Sequence, residues 1–375
     1  MKVVRFGTPV IGKKERANVR EVLKHRALTN AGQVVKFEEA FTGFIGGGIS
    51  IAVSSCTAAL HLSMLAFGIG RGDEVIVPAL TFVATAHAVE LVGAKPVFAD
   101  SWHENGNIDP EEIKRLLSPK TKAVIVVHYL GRPCYMRSII DVCRSYNENI
   151  KIIEDCALAL GARHWERHVG LIGDAGCFSF HPVKHITTGE GGMFVSKHPD
   201  IAEKAKLARE FGKLSDPNYP YEPYDVVSLG LNYRMTEMQA ALGLAQLESY
   251  GERQERRERN YRLLRHYLGK YNVLDSDDGS KYAVTVILPE GTDRSEVIQL
   301  LRRRLIEPSI YYPGPVPLLS YYRGKYGYGP GGWPVAEKIA ARGITLPVGP
   351  HLGDEHMAQI VSEFRVIVKE MRDDS

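Results

Sequence analysis

Residues 49–99 read ISIAVSSCTAALHLSMLAFGIGRGDEVIVPALTFVATAHAVELVGAKPVFA. Short apolar, β-branched runs at Ile49–Ser54, Glu74–Pro78 and Lys95–Ala99 alternate with helical stretches at Thr57–Phe67 and Thr81–Leu91. The strand runs show no polar alternation, which predicts burial on both faces of a sheet covered by helices. The same grammar continues in the Val-, Ile- and Phe-rich runs Ala123–His128, Lys151–Glu154 and Gly176–Phe180. Strands and helices in alternation predict an α/β layered domain with a mostly parallel sheet.

The pattern changes near residue 235. Thr236-Glu237-Met238 reads as a helix start, with Met238, Ala241, Leu242 and Ala245 on one face and Gly251 as a bend. In Glu252–Arg262 acids are interleaved with arginines, which predicts a solvated helix face rather than a basic binding site. Tyr282–Leu288 reads as a strand, Arg294–Leu305 as a helix, and Pro313–Trp333 as an ordered loop. Met357–Met371 closes the chain as an amphipathic helix with Met357, Ile360, Val361, Phe364 and Met371 turned to a core. Two units follow from this: a large one over 1–245 and a smaller C-terminal α/β one over 246–375.

Of 375 residues, 44% are hydrophobic and 24% charged, the profile of an ordered globular protein. Lys and Arg total 47 against 44 Asp and Glu, too small an excess for a dedicated nucleic-acid binder. The stretch Val75–Ala94 is interrupted by Pro78, His87 and Glu90, so no membrane span is expected, and the amino terminus is too sparsely apolar for a signal peptide. Cys56, Cys134, Cys143, Cys156 and Cys177 are widely spaced with no C-x-x-C pair, arguing against a disulfide framework or zinc site and for a reduced, cytoplasmic setting.

Three constellations can carry chemistry. Ser54-Ser55-Cys56-Thr57-Ala58-Ala59-Leu60 joins a strand to a helix, where unpaired N–H groups and the helix dipole attract phosphate; taken alone it reads more simply as an N-cap. Ile152-Ile153-Glu154-Asp155 ends a buried strand in acids, at the sheet edge where α/β proteins bind ligands; binding a cation and capping the next helix are equal readings. The sharpest is the run Phe178–Gly192, FSFHPVKHITTGEGG, in which Lys184 follows a strand and precedes a glycine-rich turn. A partly desolvated lysine loses its proton readily and attacks carbonyls to form a Schiff base. His181 and His185 have the spacing of a helical metal pair, but Pro182 lies between them and no acid completes a site, so no metal is expected.

These motifs, taken in order with Gly72-Asp73-Glu74-Val75-Ile76-Val77-Pro78, Thr81-Phe82 and Gly230-Leu231-Asn232-Tyr233-Arg234-Met235, resemble the DegT/DnrJ/EryC1/StrS family over nearly the whole chain. Its members are sugar aminotransferases dependent on pyridoxal 5′-phosphate, of the aspartate-aminotransferase fold (fold type I). The resemblance implies that Lys184 forms the internal Schiff base and then acts as general base and acid. It implies that Asp155 pairs with the pyridinium nitrogen, that Phe82 stacks on the ring, and that Thr57, Ala58 and Ser179 hold the phosphate. Asn232 would reach the phosphate of the neighbouring subunit in a homodimer, with Arg234 near it. Tyr311, Tyr312 and His351 are substrate candidates, and Glu190 shapes the turn and the mouth of the site.

Three positions depart from the family pattern: Cys56 where Gly or Asn is frequent, Leu158 where a polar residue often meets the cofactor hydroxyl, and Tyr282 where many relatives carry His. Lys184 itself favours transamination over the dehydrating branch of the family, which carries His in its place. The implied reaction is a ping-pong transfer from L-glutamate to a keto-sugar, usually nucleotide-linked, in amino-sugar biosynthesis for surface polysaccharides or natural products. One alternative is an aminotransferase acting on a free higher keto-sugar acid or aldehyde. Another is a non-catalytic regulatory relative, against which Lys184 and Asp155 together argue.

Overall fold

The computed structural model describes residues 3–25, 27–29, 31–214, 224–269, 271–274 and 279–373. Seven strands form the main sheet: β1 Ile49–Val53, β2 Glu74–Pro78, β3 Lys95–Ala99, β4 Thr121–Val127, β5 Lys151–Asp155, β6 Ala175–Ser179 and β7 Gly192–Ser196. Their order is β1-β7-β6-β5-β4-β2-β3, and β7 runs antiparallel to both its neighbours while the β6-to-β3 block is parallel.

Alternate residues of these strands feed opposite cores. Ile51, Val53, Val75, Val77, Ile125 and Ile153 pack under the helices Cys56–Ala66, Ala84–Leu91 and Pro199–Arg209. Ala52, Met193 and Val195 face the other way onto Phe37 and Phe41, and Ile76, Val124 and Ile152 onto Ile113 and Ile139. Burial on both faces is the physical reason the strands lack polar alternation.

The C-terminal part adds a three-stranded antiparallel sheet: β8 Asn272–Leu274, β9 Ala283–Ile287 and β10 Gly343–Pro347. Val284, Val286 and Leu346 form a separate core with Leu301 and Phe364, and Met357, Ile360 and Val361 join it as the helical spacing predicts. The opposite face of this sheet, at Leu274, Ala283 and Ile287, packs into the large core together with Trp333 and Ile339.

Four sequence expectations change. The helix after β2 starts at Ala84, not Thr81, because Thr81–Val83 form an irregular turn that lines a cavity. Thr236 does cap the following helix, through a capping box with Gln239, but the bend falls at Ser249 and not at Gly251. Residues 313–333 are not all loop: they contain a 3-10 turn at Val316–Leu318 and the helix Ser320–Tyr326. The charged helix Tyr250–Tyr267 is also not solvated on every arginine, since Arg257 is buried and Arg253 nearly so.

Candidate active site

The strand β5 ends in two acids, and strand alternation sends them to opposite faces. Glu154 points away from solvent and is fully enclosed. It accepts from His128 Nε2 at 3.0 Å and from the N–H groups of Gly170, Ile172 and Gly173 at 2.6–2.8 Å. Burial pushes its carboxyl up, but the His128 and backbone donors outweigh this and hold it below the usual range. His128 Nδ1 accepts from the Cys134 N–H at 3.1 Å, so Nε2 carries the proton that Glu154 receives. Cys156 brings its sulfur close to the same pair, yet the lone pairs a metal needs are already committed there.

Asp155 turns the other way. It is 5% exposed, accepts from Thr85 Oγ1 at 2.9 Å and the Ala157 N–H at 3.1 Å, and lies 3.9 Å from the Cys56 thiol. Among the described residues no cationic side chain lies within ion-pair distance of it. Burial accordingly raises its carboxyl above the ordinary range. A buried acid without a counter-charge favours a protonated nitrogen placed against it.

That acid borders a cavity of about 600 Å³. Thr57, Phe82, Asp155, Ser179, Lys184, Tyr311 and Tyr312 all line it, so the fold gathers residues spread over more than 250 positions of the sequence. Lys184 lies in the turn after β6, its main chain fixed by N–H donation to the His181 carbonyl at 2.9 Å. Its Nζ lies 5.7 Å from the centre of the Tyr282 ring. His181 and His185 diverge: the first is exposed and lines the cavity, while the second is buried against the Ser280 carbonyl.

At the opposite wall the helix Cys56–Ala66 presents its N-terminus. Ser55 caps it by accepting from the Ala58 N–H at 3.1 Å, and that donor is therefore engaged. Cys56 and Thr57 line the cavity at the first helical turn, where N–H groups have no intrahelical acceptor. Gly192 lets β7 pack closely against the start of this helix, because a Cβ there would come within 2.5 Å of the Ser55 main chain.

Phe82 is 58% exposed at the mouth, with its ring 6.2 Å from that of Tyr312. An aromatic so exposed is not there to fill a core. Phe82→Ala is expected to change unfolding stability by less than about 1 kcal/mol while weakening pyridoxal-phosphate affinity roughly 3- to 10-fold, the worth of one aromatic pair. Cofactor titration alongside thermal unfolding checks both, and an unchanged affinity would remove Phe82 from the ring site.

Four candidates lie outside the cavity lining, the first being Ala58, whose N–H is taken by Ser55. Asn232 is exposed and bridges to Glu210, and Arg234 donates to Glu210 at 3.5 Å; neither lines this chain's own cavity. His351 lines a separate small chamber and meets the Arg5 carbonyl at 3.0 Å. Sequence reasoning missed Thr85 as part of the site, and it marked Tyr282 only as a departure from the family pattern, without its partner Tyr311. Thr85 could have been found from its spacing to Thr81, four residues earlier in the turn that leads into the helix, since their hydroxyls meet at 2.8 Å. Tyr282 donates to or accepts from the Tyr311 hydroxyl at 2.8 Å, a contact between distant loops that no local pattern marks.

The model of the DegT/DnrJ/EryC1/StrS aminotransferase family matches residues 9–365. The chain belongs to this family. It is a pyridoxal-phosphate-dependent sugar aminotransferase of the fold type I architecture. The spore coat polysaccharide biosynthesis protein SpsC of Bacillus subtilis is 35% identical, over 97% of both chains. A GDP-perosamine synthase of Escherichia coli O157:H7 is 34% identical over 97% of this chain and 99% of its own. The PLP form of Spr1654 from Streptococcus pneumoniae superposes with a TM-score of 0.93 at 26% identity, covering 98% of this chain and 99% of that one. The residues present fit the cofactor of the family: a buried, unpaired Asp155, a helix N-terminus with free donors, an exposed aromatic and a lysine share one cavity.

Proposed function

We propose that the chain moves an amino group from L-glutamate to a nucleotide-linked keto-sugar by a ping-pong route, for amino-sugar formation in surface polysaccharide or natural-product synthesis. The observation that carries this is the placement of Lys184 and Asp155 on one cavity, with the helix N-terminus at Cys56 and Thr57 lining the same space. The names of the relatives, a GDP-perosamine synthase and a spore coat polysaccharide protein, support the sugar class and the nucleotide handle.

When bound, pyridoxal phosphate supplies an electron sink that stabilises negative charge at the carbon losing a proton. In this reading Asp155 keeps a proton on the heterocycle nitrogen, and Thr85 and the Ala157 N–H fix its carboxylate in the required orientation. Lys184 Nζ would take and return the proton that moves between the substrate carbon and the cofactor carbon. Thr57 and Ser179 hold the phosphate, with the cavity-lining N–H groups at Cys56 and Thr57 taking the share first expected of Ala58. Phe82 covers the ring. Leu158 lines the cavity with an apolar side chain, so it offers the cofactor hydroxyl no hydrogen bond. Tyr311 and Tyr312 face the space left for the sugar. Asn232 and Arg234 serve the site of a second copy in a homodimer, which the exposure of Asn232 and the place of both outside their own cavity support. In this division 1–245 is the cofactor-binding unit, 246–375 the smaller one, and the enzyme works in the cytoplasm.

The test is the visible spectrum of the purified protein during titration with L-glutamate. The yellow band of bound cofactor is expected to bleach, and a nucleotide-linked keto-sugar to restore it. A band indifferent to glutamate overturns the donor, and restoration only by free sugars overturns the nucleotide handle.

A further inference from the structure

Behind Lys184, on the side away from the large cavity, lies a second and much smaller chamber with room of about 20 Å³, enough for one water-sized particle. Phe6–Val10, residues 182–185, Gln246, Arg253, Arg257, Tyr282 and the turn 349–351 enclose it. Its electrostatics are one-sided. Arg257 is 6% exposed, and its one hydrogen bond goes to the Tyr282 carbonyl at 2.9 Å. Among the described residues no carboxylate lies within ion-pair distance of it.

Arg253 adds a second guanidinium. Its Nη2 pairs with Glu15 Oε1 at 2.5 Å, but its Nη1 is buried with no partner. Glu15 has nothing left to give: it also accepts from Gln246 Nε2 and the Gly12 N–H, both at 2.8 Å. Lys184 and Arg257 lie on the same Tyr282 ring, 5.7 and 5.8 Å from its centre. His185 and His351, which also line the chamber, are held neutral by burial with the charge of Arg257 adding to it. A buried guanidinium needs a counter-charge; Glu15 supplies one to Arg253, and among the described residues none serves Arg257.

We propose that this chamber is a binding site for one monatomic anion of the chloride class, held by Arg257 and the unpartnered Nη1 of Arg253. The small accessible room favours a compact anion over a phosphate or a free dicarboxylate. The site stands on these contacts alone and does not depend on the proposed donor or sugar.

An anion that binds only the folded protein stabilises it by mass action. Thermal unfolding of the holoenzyme in sodium chloride should therefore exceed that in sodium gluconate of equal ionic strength. The gain is expected to grow by roughly 1–3 °C per tenfold rise in chloride beyond half-saturation. Arg253→Gln, which can still donate to Glu15, should lose this chloride-specific gain, and Arg257→Lys should weaken it. Crystals soaked in bromide should show an anomalous peak between the two guanidinium groups. Equal melting temperatures in chloride and gluconate, or a chloride gain that survives in Arg253→Gln with no bromide peak in the chamber, overturns the site. If Arg257→Lys does not fold, Arg253→Gln and the bromide peak decide alone.

Discussion

Lys184→Ala is expected to lose turnover by on the order of 10⁴-fold or more, because it removes the group proposed to carry the proton in both half-reactions. The same change should leave unfolding stability within about 0.5 kcal/mol, as a substitution that breaks no buried network does. The structure supports this separation of effects. Among the described residues the Lys184 amine makes no hydrogen bond or ion pair, and the turn that carries it is held by main-chain contacts to His181. Those contacts do not involve the side chain and survive its removal. Single-turnover assays of amino transfer, beside a thermal melt of the same sample, provide the check. Transfer at a tenth of the normal rate or faster sinks the role of Lys184, and a large loss of stability shows that the turn needs the side chain.

Much of the fold is legible because it rests on local signals. The runs at Glu74–Pro78 and Lys95–Ala99 are strands over the residues the pattern marks, since nothing competes with a short apolar β-branched run between turn residues. Helix starts are less secure. Thr81 opens a plausible helix, but its hydroxyl and that of Thr85 are drawn into a network on Asp155, and the helix waits until Ala84. The arginine-rich helix misleads for a related reason. Interleaved charge describes a solvated face correctly at Arg256 and Arg262, yet Arg257 lies beneath the small sheet and Arg253 reaches Glu15 near the amino terminus. Partners more than 200 positions away in sequence leave no trace in local periodicity. Likewise Lys184 and Asp155 stand out as residue types at strand ends, whereas the Tyr282–Tyr311 contact exists only once two distant loops are brought together.

Asp155→Asn should cost on the order of 10²–10³ in turnover, the scale of losing one preorganised charge beside the reacting centre. It should do so while making the cofactor-free protein more stable near neutral pH. Burial, only partly offset by the Ala157 N–H, Thr85 and the Lys184 charge, raises the Asp155 carboxyl above its ordinary value. An acid with a higher pKa in the folded state than in the unfolded state binds its proton more tightly when folded. Stability then falls as pH rises from the ordinary carboxylate range, about 3.9 for Asp, through the raised value. The contribution is present below that window and lost above it, where the cofactor-free protein carries a buried charge with no ion pair among the described residues. Asparagine is neutral at every pH, and its amide can still meet Thr85 or the Ala157 N–H. Pyridoxal phosphate reverses the comparison, because a protonated heterocycle gives the aspartate the positive neighbour it lacks and gives asparagine nothing equivalent. Melting temperatures of both proteins, with and without cofactor, at pH 5 and pH 8 test the whole chain of reasoning. The wild type should gain more from cofactor than Asp155→Asn, and its cofactor-free form should lose stability between those pH values more steeply. Equal gains from cofactor would dissociate Asp155 from the ring nitrogen, whatever the rates show.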